Sequence, residues 1–325
     1  MNASSFPAGE AGAPAAARAA AAPPVPGALL WLRASALAGQ ANGTPVAAWG
    51  EPSLPNASLS QAAAALRPAF ISDAFGPGAP GVRFDGVSTF LESATLALPG
   101  ADSTHFAVFR DGGSASSGCS GVLFFRGACV GLSTAAVSSA DDDDGAGRAP
   151  VVGMADFPGS EAKGSLNVNG RVVVADAVYS AGGVALSVDG CAQAAAPPRD
   201  SRATGVMVGT RNHELQRFFR GDVGELLVYP RALNASEVAA VRAYLAAQWP
   251  QARRPAGASC ADREEGFKVS QMYAVTRYTQ AVQSRNTLWP LKFNGMAFVA
   301  AMGSSGEADY RDWGACNWWQ NTRLP

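Results

Sequence analysis

The residues best suited to chemistry lie in the stretch Asp309-Tyr-Arg-Asp-Trp-Gly-Ala-Cys-Asn-Trp-Trp-Gln-Asn-Thr-Arg-Leu-Pro325. Four aromatics, two aspartates and two arginines fall within these seventeen residues. Such a mixture is costly to bury and ill suited to plain surface, so it reads as the lining of a polar, aromatic cleft. Aromatic faces beside planar guanidinium and amide groups fit a sugar: rings cover its C–H faces and forks bond its hydroxyls. The candidate substrate-binding residues are Asp309, Trp313, Trp318, Trp319, Gln320, Asn321 and Arg323. Trp313, Trp318 or Trp319 would stack, and Gln320, Asn321 and Arg323 would bond hydroxyls. An architectural reading competes, in which the tryptophans pack helix on helix and Arg323 pairs with Asp309 or Asp312.

No catalytic residue is assigned. Glycoside hydrolysis usually needs two carboxylates on a rigid frame. Glu307, Asp309 and Asp312 have too little chain around them to be positioned. The site would start where the sequence stops, so the chain reads as a fragment that is not itself catalytic.

The elements that would hold such a site are legible in composition. With 325 residues there is room for one large domain or two smaller ones. Charged residues are only 16%, against 36 glycines and 21 prolines, which points to many turns and an all-β body rather than a helical bundle. A net charge of -1 favours neither nucleic acid nor an anionic membrane surface. No window approaches the roughly 18 uninterrupted apolar residues of a membrane span. The Ala/Pro-rich start lacks the basic-then-apolar pattern of a signal peptide and reads as a disordered leader.

Five cysteines, Cys119, Cys129, Cys191, Cys260 and Cys316, show no metal spacing, and His105 and His213 are too few for a histidine-rich metal site. Cys119 and Cys129 read either as a hairpin bridge or as small core thiols. Sequons at Asn2, Asn42, Asn56 and Asn234 lean toward secretion. The Asp141–Asp144 run reads as a solvated loop, because adjacent acids do not alternate as calcium ligands do.

From Ala28 to about Pro250 run short alternating segments: 28–32, 81–84, 105–109, 121–125, 170–174, 184–188, 206–209 and 225–229. Glycine, proline, aspartate and serine separate them, and Asp85-Gly86, Asn169-Gly170 and Asp189-Gly190 are hairpin-type dipeptides. Alternation over 221–229 predicts Val223, Glu225 and Leu227 on one face; Glu225 reads either as a ligand-facing carboxylate or as a structural one bonded to backbone. Asn234-Ala-Ser-Glu237 is a capping box, and Val238, Val241, Leu245 and Trp249 mark one helix face before Pro250. Residues 251–266 read as a linker. Met272, Val275, Tyr278 and Val282 mark a second helix ending before Trp289-Pro290.

Leu29-Leu-Trp-Leu-Arg-Ala-Ser35, Trp49, Arg67-Pro68, Val82-Arg-Phe-Asp-Gly86, Phe106-Ala-Val-Phe109, Ala185-Leu-Ser-Val-Asp-Gly190, Val208-Gly209 and Phe219 to Leu233 follow one another in order. With the closing helix, this series resembles the laminin-G-like, concanavalin A-like jelly-roll domains attached to many secreted polysaccharide-active proteins. Where relatives commonly carry an acid in the tryptophan-leucine-acid-alanine motif this chain has Arg33; if that acid holds calcium in some relatives, calcium here is possible but not supported.

A second series, Ser270 to Arg285, Trp289 to Gly295, Asp309 to Gly314 and Trp318-Trp-Gln-Asn-Thr-Arg-Leu-Pro325, resembles the early helices and loops of six-hairpin (α/α)6-barrel glycoside hydrolases. It is similar above all to α-fucosidase-like branches. This resemblance implies that a second carboxylate and most of the barrel lie beyond these residues.

The expectation is a mainly β protein: a two-sheet antiparallel jelly-roll sandwich with a closing helix, plus a short C-terminal helical or irregular segment. Its divisions are 1–26 leader, 27–250 jelly roll, 251–266 linker and 267–325 barrel-like start. The expected partner is carbohydrate, with no nucleic acid, no membrane span and no cofactor; the sequence assigns no oligomeric state. The expected location is extracellular or in the secretory pathway. The alternative function is a freestanding carbohydrate- or protein-binding adhesion module with a vestigial tail.

Overall fold

The short alternating segments become strands because their side chains face two different apolar surroundings. The computed structural model describes residues 22–54, 56–113, 120–126, 130–136, 148–153, 161–164, 166, 168, 170–197, 202–210, 217–252, 259–260, 269, 272–273 and 275–277. The chain divides into two compact units, residues 1–254 and 255–325.

In the first unit the strands are, in chain order, β1 (Leu30–Arg33), β2 (Ala48–Gly50), β3 (Ser58–Ser60), β4 (Ala69–Ile71), β5 (Gly81–Asp85), β6 (Leu91–Ser93), β7 (Ser103–Asp111) and β8 (Ser120–Phe125). They continue as β9 (Val130–Ala136), β10 (Arg148–Gly153), β11 (Glu161–Lys163), β12 (Val172–Ser180), β13 (Gly183–Val188), β14 (Cys191–Ala196), β15 (Val206–Val208) and β16 (Arg220–Tyr229). One helix, α1 (Ala235–Gln248), follows.

The first sheet runs β14-β13-β12-β7-β16-β5-β4, with β1 also paired to β16. The second runs β11-β10-β9-β8-β15-β6-β3-β2. Neighbours within both sheets pair antiparallel, so the expected two-sheet jelly-roll sandwich with a closing helix is the observed fold.

The space between the sheets holds Trp49, Leu59, Phe84, Phe109, Phe125, Val223 and other apolar side chains. A second core lies on the outer face of the first sheet, where Trp31, Phe106, Val108 and Leu227 meet Val238, Val241, Leu245 and Trp249. Strand β7 is therefore buried on both faces at its centre, which explains its nearly unbroken apolar reading. Helix α1 starts on the expected box: the Asn234 side chain accepts from the Glu237 amide, and the Glu237 carboxylate accepts from the Asn234 amide. Arg242 anchors the helix to the sheet with a two-bond fork on Asp176, at 2.9 and 2.7 Å. Burial pushes the Asp176 carboxyl up, and Arg242 pulls against it.

Two expectations need correction. Val223 does not share a face with Glu225 and Leu227: it packs between the sheets, whereas Leu227 packs under the helix. The register of β16 on β7 shifts between Val223 and Glu225, so one extra residue flips the alternation. That residue is Gly224, and a Cβ there would stand 2.4 Å from the Trp249 ring. Asp85-Gly86 is not a hairpin either, because β5 and the next strand, β6, belong to different sheets. Its aspartate instead caps the crossing loop, accepting from the amides of Val87, Ser88 and Thr89. Asp189-Gly190 does join a hairpin, with Val188 opposite Cys191 and positive φ of 52° and 78° at the two turn residues.

In the second unit, residues 260, 269, 272–273 and 275–277 are helical. Met272 and Val275 of the expected helix face are exposed. Tyr278, Val282 and all of Trp289-Pro290 lie outside the described residues.

Candidate functional site

Past the end of the apolar patch beneath α1, the outer face of the first sheet becomes charged. Arg83 on β5 sits opposite Asp222 on β16, and Asp222 sits opposite Arg110 on β7. The three side chains thus form one row across three strands, each standing on the face opposite the sandwich core. Arg83 Nε and Nη2 donate to the two Asp222 oxygens at 2.7 and 3.2 Å, and Arg110 Nη2 donates to Oδ2 at 2.6 Å. A second row, Asp85 beside Arg220, follows two residues along. It ends at Gly112, whose amide donates to the Arg220 carbonyl at 2.9 Å. Arg67, just before β4, completes the wall; its guanidinium donates to the Gln61 and Ala62 carbonyls.

These rows line a groove of about 590 Å³, within the usual range for a small-molecule site. Four arginines and two aspartates line it, an excess of two positive charges on a chain whose net charge is -1. Asp222 is buried, whereas Arg83 and Arg110 keep 47% and 33% of their side-chain surface exposed. The carboxylate therefore works as a fixed post that orients two water-facing guanidinium groups. The hydrogen bond to Asp222 holds Arg83 above even the usual arginine range. Asp85 is held well below the usual carboxylate range: three backbone amides and the Ser88 and Thr89 hydroxyls bond it, overcoming its partial burial. It stays ionised, so it is no proton donor near neutrality.

Glu225 resolves as a structural carboxylate, though its partners are side chains rather than backbone. Trp31 Nε1 and Tyr244 Oη each donate to Oε1 at 2.8 Å, and Trp249 Nε1 donates to Oε2 at 2.9 Å. Burial pushes its pKa up, and these donors together with the nearby Arg33 charge pull it back. Arg33 stacks over Trp31, 4.2 Å from the ring centroid, and forks onto Glu51 at 2.8 and 2.6 Å. Arg33 is thus a cation with its own counter-ion. Among the described residues, no three of His, Cys, Asp or Glu gather as metal ligands.

His105 lies in the core between the Phe125 and Tyr179 rings, with Ser103 Oγ 3.0 Å from Nε2. Complete burial lowers its pKa to about 3, so it is a neutral core residue. Cys191 and Cys260 are each disulfide-bonded; Cys119 and Cys129 lie outside the described residues.

The predicted sugar residues Asp309, Trp313, Trp318, Trp319, Gln320, Asn321 and Arg323 also lie outside the described residues, as does the run 141–144. Sequence reasoning missed the groove. The available signal was a charged side chain set directly against core apolar residues in each strand: Arg83 between Val82 and Phe84, Arg110 after Phe109, and Asp222 before Val223.

No family model matches the chain, and no curated protein matches it. Among solved structures, it is similar to the native heptameric SAP-like pentraxin from Limulus polyphemus, at 13% identity over 50% of this chain and 79% of that one, with a TM-score of 0.39. It is similar to domain 4 of AbnA, a GH43 extracellular arabinanase from Geobacillus stearothermophilus in complex with arabinotriose, at 14% identity over 54% and 81%, TM-score 0.38. A third is Trypanosoma rangeli sialidase in complex with sialic acid, at 17% identity over 68% of this chain and 33% of that one, TM-score 0.45. At such identities, and with TM-scores below 0.5, these similarities imply nothing about ligand or chemistry.

Proposed function

We propose that the chain is the carbohydrate-associated jelly-roll module of a polysaccharide-active, glycoside hydrolase-like protein, and that it acts by binding rather than by catalysis. The observation that carries this reading is the polar groove on the outer face of the first sheet, bordered by Arg83, Arg110, Asp222 and Arg220. Its two carboxylates are both committed, Asp222 to two arginines and Asp85 to its own turn, so neither is poised as acid or nucleophile. The laminin-G-like series over residues 27–250 supports a carbohydrate context. The barrel-like series over 267–325 supports a catalytic neighbour, with 1–26 as leader and 251–266 as linker. In that neighbour Asp309, Trp313, Trp318, Trp319, Gln320, Asn321 and Arg323 would line the sugar subsite. An extracellular location fits the disulfide-bonded Cys191 and Cys260 and the exposed sequons at Asn42, Asn56 and Asn234.

The test is a glycan array probed with the labelled full chain, alongside an aryl-glycoside panel. Retention of a defined glycan class without turnover supports the reading. Turnover that disappears in an Asp309→Asn variant would contradict it.

A further inference from the structure

Resting on that binding reading, we infer that the groove selects a saccharide carrying an oxyanion, a uronate carboxylate or a sulfate ester, and that Arg220 is its principal contact. The reason is an imbalance of donors over acceptors. The Arg220 guanidinium has no hydrogen-bond or ion-pair partner among the described residues, although its neighbour across the ladder is Asp85. Among the described residues Arg83 spends Nε and Nη2 on Asp222 and leaves Nη1 without a hydrogen bond; Arg110 spends only Nη2 and leaves Nε and Nη1. Arginine donates and never accepts. Every carboxylate oxygen in the groove already receives hydrogen bonds: Asp222 from two arginines, and Asp85 from three amides and two hydroxyls.

A neutral sugar hydroxyl both donates and accepts, so a good neutral site offers both kinds of partner. Among the described residues this one offers forks of spare donors, while each carboxylate oxygen is already engaged. Nor do the described residues offer a stacking platform, since the one aromatic among them that lines it, Phe84, is buried. A group with two equivalent acceptor oxygens and a negative charge matches the guanidinium fork and the excess of two positive charges. Asp222 positions the two flanking forks without neutralising the groove.

The experiment is calorimetry on the full chain with tetragalacturonate, its carboxyl-reduced neutral counterpart, a heparin-derived tetrasaccharide and a short single-stranded DNA of equal charge. The expected result is binding of an acidic saccharide, at least tenfold weaker for the reduced form and weakened further by added salt. Arg220→Gln should lower affinity about tenfold or more at unchanged melting temperature, and Arg220→Lys should restore only part of it. The two acidic saccharides distinguish carboxylate from sulfate. If the neutral counterpart binds equally and Arg220→Gln changes nothing, the oxyanion inference fails while the carbohydrate reading stands. If only the DNA binds, or no saccharide binds at all, both fail.

Discussion

Trp31 and Glu225, 194 residues apart, meet in a buried hydrogen bond of 2.8 Å. The same carboxylate takes Tyr244 and Trp249 from the helix, so one side chain ties β1, β16 and α1 together. Glu225→Ala would strand three buried or half-buried donors, each costing about 1–3 kcal/mol when unsatisfied. Chemical denaturation should show a loss of several kcal/mol, well beyond the about 1 kcal/mol typical of a point mutation. Glu225→Gln, which keeps one acceptor oxygen, should lose less.

The bulge beside it makes a second prediction. Gly224→Ala would place a methyl 2.4 Å from the Trp249 ring, so the helix end must move. A lower melting temperature and a changed tryptophan fluorescence spectrum are expected. An unchanged spectrum would mean that Trp249 does not pack on the bulge.

The helix face offers an independent check on packing. Leu245 is fully buried in the outer core. Leu245→Ala should cost about 2–5 kcal/mol in urea unfolding.

His105 predicts a pH dependence. Its folded pKa, lowered to about 3, lies below the ordinary value of 6.5. Between these limits the unfolded chain binds a proton that the folded chain refuses, so stability rises with pH across this window. The contribution is complete above about pH 6.5 and is lost as pH falls, with a slope approaching about 1.4 kcal/mol per unit. In stability measured from pH 4.5 to 7.5, the His105→Phe variant should show a shallower slope than the parent. Parallel slopes would rule out a buried neutral imidazole.

The fold was legible where local signals were strong. The capping box and the Val238, Val241, Leu245, Trp249 spacing announce α1 because a helix's face and start are written in consecutive residues. Strands of three residues such as β2, β3 and β4 were not, since so short a run shows no period. The face of Val223 was misread because a bulge at glycine leaves no mark on an alternation pattern. The groove was illegible for a different reason: Arg83 and Arg110 stand 139 and 112 residues from Asp222, and only the sheet register brings them into one row. The tail, richest in residues suited to chemistry, falls outside the described residues.

The proposed saccharide site occupies the face of β5, β16 and β7 beyond the helix. The most direct measurement is hydrogen exchange of the full chain with and without a saturating acidic tetrasaccharide. Added protection is expected only in peptides covering Arg83–Thr89, Arg110–Gly113 and Phe219–Asp222. Protection of the second sheet instead, with these peptides unchanged, would contradict it.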